Sequence, residues 1–188
     1  MKSRTMLVFV AGLLCAALVL PAQGQKIEKR GQAVMTFLLI NPSPRAAGMV
    51  ASNAIEGESG ALFQNPAGIA KLSGQGDFMF AQNQWIADIT QNAFAGIYRI
   101  QGIGVFGLSW VSMDHGDIYR TTINKDPISA GFSETGMVNT DESVISLAYA
   151  REITDRFTIG GQAKRVAQTL ADTRTDGIAF DLGLLYYT

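Results

Sequence analysis

The chain has very few of the residues on which disulfides, metal sites and most nucleophilic enzymes depend. Its 188 residues include one cysteine, Cys15, and one histidine, His115. A single cysteine excludes a disulfide within the chain, and a single histidine excludes a multi-histidine metal site. No pair of carboxylates is spaced in a way that indicates a hydrolytic cleft. We therefore expect no catalytic residue, no cofactor, no metal and no enzyme activity.

Charge is also scarce. Charged residues make up 16% of the chain, whereas soluble domains usually carry about 25%. The formal net charge is −1, and the chain has no basic stripe that would attract nucleic acid, so nucleic acid is not an expected partner. An apolar segment at the N-terminus accounts for part of the low charge. The rest requires an explanation from the environment of the residues that follow this segment.

Residues 1–24 have the pattern of a secretory signal peptide. Lys2 and Arg4 form a basic start, residues 6–20 are apolar, and Gly24 ends a stretch of small residues at the expected cleavage site. The apolar centre is shorter than the roughly 20 residues of a transmembrane helix. Cys15 lies inside it and lacks the small preceding residue that lipid attachment requires. The sequence therefore predicts an exported chain whose mature part has no cysteine.

Residues 25–72 are predicted to form a short plug-like segment that leads into a sheet. Two prolines end an apolar run over 34–40, which we interpret as a short strand or a tucked segment. The small residues of 45–52, among them Gly48, indicate backbone packed closely against other backbone. The segment ends in a corner, Asn65-Pro66-Ala67-Gly68. Asn65 is suited to cap a helical turn, Pro66 to begin it and Gly68 to end it early.

Residues 73–188 carry a period-two hydrophobicity that predicts an all-β, antiparallel arrangement. In 104–114, Phe106, Leu108 and Trp110 fall on one face and small residues fall on the other. The later strands repeat this asymmetry. The six strand candidates are 77–88, 91–100, 104–114, 142–152, 156–168 and 176–188.

The two faces of these strands favour a transmembrane β-barrel over a soluble sandwich. A soluble sheet covers its solvent face with charged and hydroxyl side chains, whereas the second face here is mostly Gly, Ala and Ser. In a barrel the bulky side chains contact lipid and the small or polar ones face an enclosed interior. The polar exceptions on the predicted interior face are Gln162, Lys164 and Asp181. We expect them either to fill the lumen as a paired group or to line a path for a ligand.

The predicted connections alternate in length. Tight turns are expected at 100–104 and 153–156, a long polar loop at 115–141 and an intermediate loop at 169–175. Outer-membrane barrels place short turns in the periplasm and long loops outside. The glycines of 102–107 match a dinucleotide-binding pattern, but a strand follows them where that pattern requires a helix. We interpret them as hairpin glycines.

Six short blocks of sequence form an ordered set along the mature chain. The blocks are Phe37-Leu38-Leu39-Ile40, Arg45-Ala46-Ala47-Gly48-Met49, Asn65-Pro66-Ala67-Gly68, Trp85-Ile86-Ala87-Asp88, Ser146-Leu147-Ala148-Tyr149-Ala150-Arg151 and Phe180-Asp181-Leu182-Gly183. Together they resemble the PorV/PorQ family of outer-membrane proteins, which is distantly similar to FadL-type channels. The chain departs from the family at Gln64, where an aromatic residue is more usual, and at 50–52, where the family is richer in glycine.

This resemblance implies a β-barrel of the outer membrane that takes part in type IX secretion. It implies that the protein contacts outer-membrane lipid, binds exported cargo proteins and passes them to surface-attachment machinery together with other secretion subunits. Family barrels are longer than this chain, and single-chain bacterial barrels have eight or more strands. We therefore expect an incomplete barrel of about six to eight strands, the N-terminal part of a longer member.

Two alternatives remain compatible with the residues. A FadL-like channel would bind a small hydrophobic ligand in a greasy pocket near the plug-like segment. A soluble periplasmic β-protein would bury Leu108, Leu147 and Leu182 together between two stacked sheets. The channel hypothesis differs from the secretion hypothesis in the ligand that the protein binds. The soluble-protein hypothesis differs from both barrel hypotheses in the position of the large side chains.

Overall fold

The computed structural model describes residues 35–49, 56–85, 88–123, 131–171 and 173–188. The predicted signal peptide lies outside these residues, as do residues 25–34 and 50–55 of the predicted plug-like segment. Within the described part of the chain, no helix is long and apolar enough to cross a membrane.

The described residues form a mainly antiparallel β structure preceded by short helices. The helices are η1 (Thr36–Leu39), α1 (Pro44–Gly48), η2 (Ser59–Phe63) and η3 (Pro66–Lys71), where η denotes a 3-10 helix. The strands are β1 (Gly76–Gln84), β2 (Thr90–Ile100), β3 (Gly104–Asp114), β4 (Ile118–Ile123), β5 (Phe132–Val138), β6 (Thr140–Thr154), β7 (Phe157–Leu170) and β8 (Thr173–Tyr186). The predicted all-β, antiparallel class is confirmed.

Six of these strands form one sheet in the order β1-β2-β3-β6-β7-β8. They correspond to the six strand candidates of the sequence, with ends that differ by a few residues. In the described residues β1 and β8 each pair with a single neighbour, so the sheet is open between them. Strands β4 and β5 form a separate two-stranded hairpin inserted between β3 and β6.

Two local predictions were wrong, and a third that had two alternatives is decided. The long loop expected at 115–141 contains β4 and β5, where β-branched and aromatic residues such as Ile118, Tyr119 and Phe132 favour strands. The loop expected at 169–175 is a tight turn, because β7 continues to Leu170 and β8 begins at Thr173. The apolar run at 34–40 contains a 3-10 helix and not a strand. It packs onto the sheet as a tucked segment, which was the other interpretation.

The sheet has two faces of opposite character. We call inner the face on which Val105, Gly107, Ser109 and Val111 of β3 are buried, and outer the face on which Leu108 and its neighbours on β3 are exposed. The same alternation continues through β6, β7 and β8. On the outer face Leu147 is 67% exposed, Phe180 76% and Leu182 87%. The large side chains are therefore not buried between stacked sheets.

The described residues of 35–72, which we call the N-terminal segment, cover the inner face. Leu62, Ile69 and Ala70 pack with Ala95, Val105 and Ala148 in one buried cluster. Phe37 packs with Val111, Val144 and Val166 in a second. The small side chains of the inner face allow this packing, because backbone can lie directly on a sheet only where the side chains beneath it are small.

Candidate functional site

The Asn-Pro corner forms as its residues predict and contacts the far edge of the sheet. The Asn65 side chain accepts a hydrogen bond from the Ala67 N–H at 3.0 Å, and Pro66 is the first residue of η3. The Asn65 amide also donates to the Leu184 carbonyl oxygen of β8 at 3.1 Å. One side chain thus caps a helix and fastens it to the sheet. The expectation for Gly68 was wrong, because η3 continues through it to Lys71.

The corner fits onto the sheet at two glycines. A Cβ atom placed on Gly160 would lie 2.6 Å from the Ala67 nitrogen and the Pro66 carbonyl carbon, and one placed on Gly183 would lie 1.9 Å from the Asn65 side-chain oxygen. Both glycines are on the inner face, on adjacent strands, and are directly paired across β7 and β8. Side chains at these positions would push the corner off the sheet.

Further polar contacts fasten the N-terminal segment at both ends of the strands. At the end that carries the β2–β3 and β6–β7 turns, which we call the turn end, the Arg99 guanidinium donates to the Ala70 carbonyl at 2.9 Å. At the opposite end, which we call the loop end, the Gln168 side chain accepts from the Met35 N–H at 3.0 Å. Since the segment is held at both ends, it is an integral part of the fold.

The structure places Arg45 and Gly48 away from this corner. Both lie in α1, where the Arg45 guanidinium donates to the Glu58 carboxylate at 2.6 Å. A Cβ atom on Gly48 would have no neighbour within 4 Å among the residues that the structure describes. The prediction of tightly packed backbone is therefore wrong at Gly48, although Ala46 in the same helix is fully buried.

A cavity of about 280 Å³ lies between the N-terminal segment and the middle of the inner face. We call it the central cavity. Residues 37–42 border it on one side and 62–64 on another, and β3, β6 and β7 form its floor. Its apolar wall includes Phe37, Leu62 and Val144. Apolar cavities with a few polar groups are the usual form of small-molecule sites.

The floor of the central cavity carries a short chain of polar side chains. The Gln162 amide nitrogen donates to Ser146 Oγ at 2.5 Å, and Ser146 Oγ lies 2.5 Å from Ser109 Oγ. All three residues are buried, and Gln162 is 4% exposed. The Gln162 side-chain oxygen is buried and has no hydrogen-bond partner in the described part of the chain. A buried acceptor without a donor is uncommon in native proteins.

Lys164 and Asp181 complete the polar set that the sequence predicted on this face. The Lys164 ammonium lies 2.5 Å from an Asp181 carboxylate oxygen. Lys164 lines the cavity together with Gln162, and Asp181 is the direct partner of Gln162 across β7 and β8. The predicted interior side of all three residues agrees with the inner face. Because the lysine and the aspartate compensate each other, this part of the wall carries no net charge.

Sequence reasoning missed the two serines. Ser109 and Ser146 were grouped with glycine and alanine as members of a small face. The signal that separates them is register, because Ser109 and Ser146 are directly paired across β3 and β6. The two serines meet because β3 pairs with β6. This pairing is difficult to predict from the sequence, because a long connection separates the two strands.

A second polar cluster lies at the loop end. Glu142 is buried, its carboxylate accepts from the Gln168 amide, and it lies 3.6 Å from the His115 Nε2. This cluster links the start of the β3–β6 connection to the beginning of the N-terminal segment. No group of three or more metal-ligating side chains occurs among the residues that the structure describes.

The chain has no match among protein-family models, curated proteins or solved structures. Its function must therefore be argued from its own residues.

Proposed function

We propose that this chain is part of an outer-membrane β-barrel whose outer face contacts lipid. The observation that carries the proposal is the exposure of one continuous apolar face: Leu147 and Ile145 of β6, and Phe180 and Leu182 of β8, all point away from the N-terminal segment. Monomeric soluble proteins rarely expose apolar patches of this extent. Hydrocarbon contact would account for them without a second sheet.

The long connection fits this placement. Short turns join β2 to β3 and β6 to β7 at the turn end, and the inserted β4–β5 hairpin lies at the loop end, where the β7–β8 turn is also tight. In outer-membrane barrels the long connections are outside and the short ones are periplasmic. The Asn65 corner at the turn end would then face the periplasm, and the hairpin would face the exterior.

The open edges of β1 and β8 support a barrel that is larger than six strands. Unpaired backbone groups in hydrocarbon cost several kcal/mol each, so membrane sheets close on themselves. Six strands are fewer than the eight of the smallest single-chain bacterial barrels. Further strands would have to join β1 and β8.

Within the membrane we propose a role in type IX secretion, where the protein receives exported cargo and passes it to surface-attachment partners. The resemblance of the ordered sequence blocks to PorV/PorQ proteins supports this role. The β4–β5 hairpin supports it as well, because its exposed Tyr119, Ile123, Phe132 and Met137 give a partner protein an apolar surface.

The test begins with fractionation of the full-length gene product. We expect heat-modifiable mobility, recovery in the outer-membrane fraction and co-purification with the C-terminal domains of secreted cargo. A deletion strain should retain cargo that the parent strain exports. Recovery of the protein in the soluble periplasmic extract would refute the membrane placement, and unchanged cargo export in the deletion strain would refute the secretion role alone.

A second candidate is a FadL-like channel for hydrophobic small molecules. The specific observation in its favour is the central cavity, whose apolar wall is formed by the N-terminal segment. A deletion strain should then lose uptake of a hydrophobic compound, while its cargo export stays normal.

A further inference from the structure

The buried chain of polar side chains on the cavity floor defines what the central cavity can bind. Gln162 donates through its amide nitrogen to Ser146, and Ser146 contacts Ser109, so each of these groups has a partner inside the protein. Two buried atoms that border the cavity have no hydrogen-bond partner among the described residues: the Gln162 side-chain oxygen on the floor and the Gln64 amide nitrogen on the wall. The cavity therefore offers a buried acceptor and a buried donor, and one hydroxyl group could pair with both.

The size of the cavity argues for more than a single water molecule. A cavity needs only about 10–15 Å³ to hold one water, and this one measures about 280 Å³. Water that filled it would meet polar groups at Asn41, Gln64 and Lys164, but it would also lie against the apolar side chains of Phe37, Leu38, Ile40, Leu62 and Val144, which offer no hydrogen bonds. An apolar body would satisfy these walls better than a cluster of waters.

The charges around the cavity argue against an ionic ligand. The one lysine on its wall, Lys164, is already paired with Asp181 at 2.5 Å. An anion would have to displace Asp181 from Lys164, and a cation would have to displace Lys164 from Asp181. Transfer of either ion into this largely apolar space without a free counter-ion is unfavourable.

We propose that the central cavity is a binding site for a small uncharged molecule with an apolar body and one hydrogen-bond-donating head group, the chemistry of a medium-chain alcohol. The head group donates to the Gln162 oxygen, and the body lies against the wall formed by Phe37, Leu62 and Val144. The inference concerns binding and depends on neither cargo export nor transport.

Three probes of equal chain length separate the contribution of the head group to binding from that of the apolar body. The full chain, held in amphipol, is dialysed to equilibrium against 1-octanol, octane or octanoate, with protein-free amphipol particles as the blank. Relative to the partition of each probe into the blank, we expect octanol to bind about tenfold more tightly than octane, since a hydrogen bond to a buried, otherwise unpaired acceptor is worth about that factor. Octanoate should bind more weakly than octanol at pH 7.

The variant Gln162→Leu removes the acceptor and keeps an apolar side chain of similar size. It should lose the preference for octanol and bind octane at least as tightly, because the buried hydroxyl then lacks this acceptor. Gln82→Leu makes the same chemical change on the exposed side of β1 and should keep the preference for octanol. Equal binding of octanol and octane to the unmodified protein would overturn the proposal. So would an absence of binding by all three probes, which is the result expected if the cavity holds only water.

Discussion

Gly160 is required by contact with the Asn-Pro corner. Its inner face lies against the Pro66–Ala67 peptide, and a Cβ atom there would be 2.6 Å from two backbone atoms. The Pro66–Ala67 peptide lies in the first turn of η3, which Asn65 caps, so its backbone atoms have little freedom to shift. The neighbouring Gly161 lies on the outer face, where a Cβ atom would meet the Leu182 side chain at an ordinary 3.6 Å. Two adjacent glycines therefore have different structural roles.

We predict that Gly160→Ala destabilises the protein by about 1–3 kcal/mol, the usual cost of forcing extra atoms into a packed interior. Gly161→Ala, the matched control, should change the free energy of unfolding by no more than about 0.5 kcal/mol. Denaturant unfolding of both variants measures the difference. Equal stability of the two variants would show that the corner does not lie against β7 as described.

The β4–β5 hairpin differs from the other strands because, among the described elements, its two strands pack mainly on each other. Its six residues in β4 are all exposed, and a two-stranded hairpin alone is at best marginally stable in water. The six-stranded sheet, in contrast, is stabilised by the N-terminal segment on its inner face. The hairpin is thus the element whose presence is least explained by folding.

We predict that deletion of the hairpin leaves the fold intact and removes binding to partner proteins. The variant lacks 118–138, so residues 115–117 and 139 remain as a short connection between β3 and β6. Its heat-modifiable mobility and unfolding midpoint should match those of the parent protein, while recovery of cargo domains by co-purification should fall at least tenfold. A variant that keeps full cargo recovery would contradict a role for the hairpin in binding.

The elements that the sequence predicted well are those whose two faces differ most. In β3, β6 and β8 the alternation of bulky and small residues fixes both the strand and the direction of each side chain, since a shift of one residue exchanges the faces. The apolar run at 34–40 has no such alternation, and periodicity alone does not distinguish a short strand from a helical turn there. Its 3-10 conformation depends on packing against the sheet.

The candidate site was predicted in part for a related reason. Gln162, Lys164 and Asp181 stand out because they are polar on a small-residue face. The cavity that joins Gln162 to Phe37 and Leu62 depends on how the N-terminal segment crosses the sheet, which is a long-range property that local patterns do not encode. Likewise, the contact between the Ser109 and Ser146 hydroxyls requires β3 to pair with β6. The hairpin inserted between these strands makes that pairing difficult to predict from the sequence.

At the scale of the whole molecule, the two faces of the sheet are in different environments. The inner face is covered by the chain itself, and the outer face carries apolar side chains such as Leu147, Leu182 and Phe180 that no described residue covers. A charged side chain on this face would lower the stability of the protein if the face lies in hydrocarbon, because a charge in the bilayer centre is costly. In water the same charge would have little effect. A single substitution therefore distinguishes the two environments.

We predict that Leu147→Arg, in the middle of β6, destabilises the protein in phospholipid vesicles by about 2–4 kcal/mol, as arginine does near the bilayer midplane. The control is Ser143→Arg, on the same face of the same strand but closer to the loop end, where the cost should fall to about 0–1 kcal/mol. Reversible denaturant unfolding from vesicles measures both values. If Leu147→Arg is as stable as Ser143→Arg, the outer face does not lie in hydrocarbon, because exposed surface positions in water tolerate arginine within about 0.5 kcal/mol.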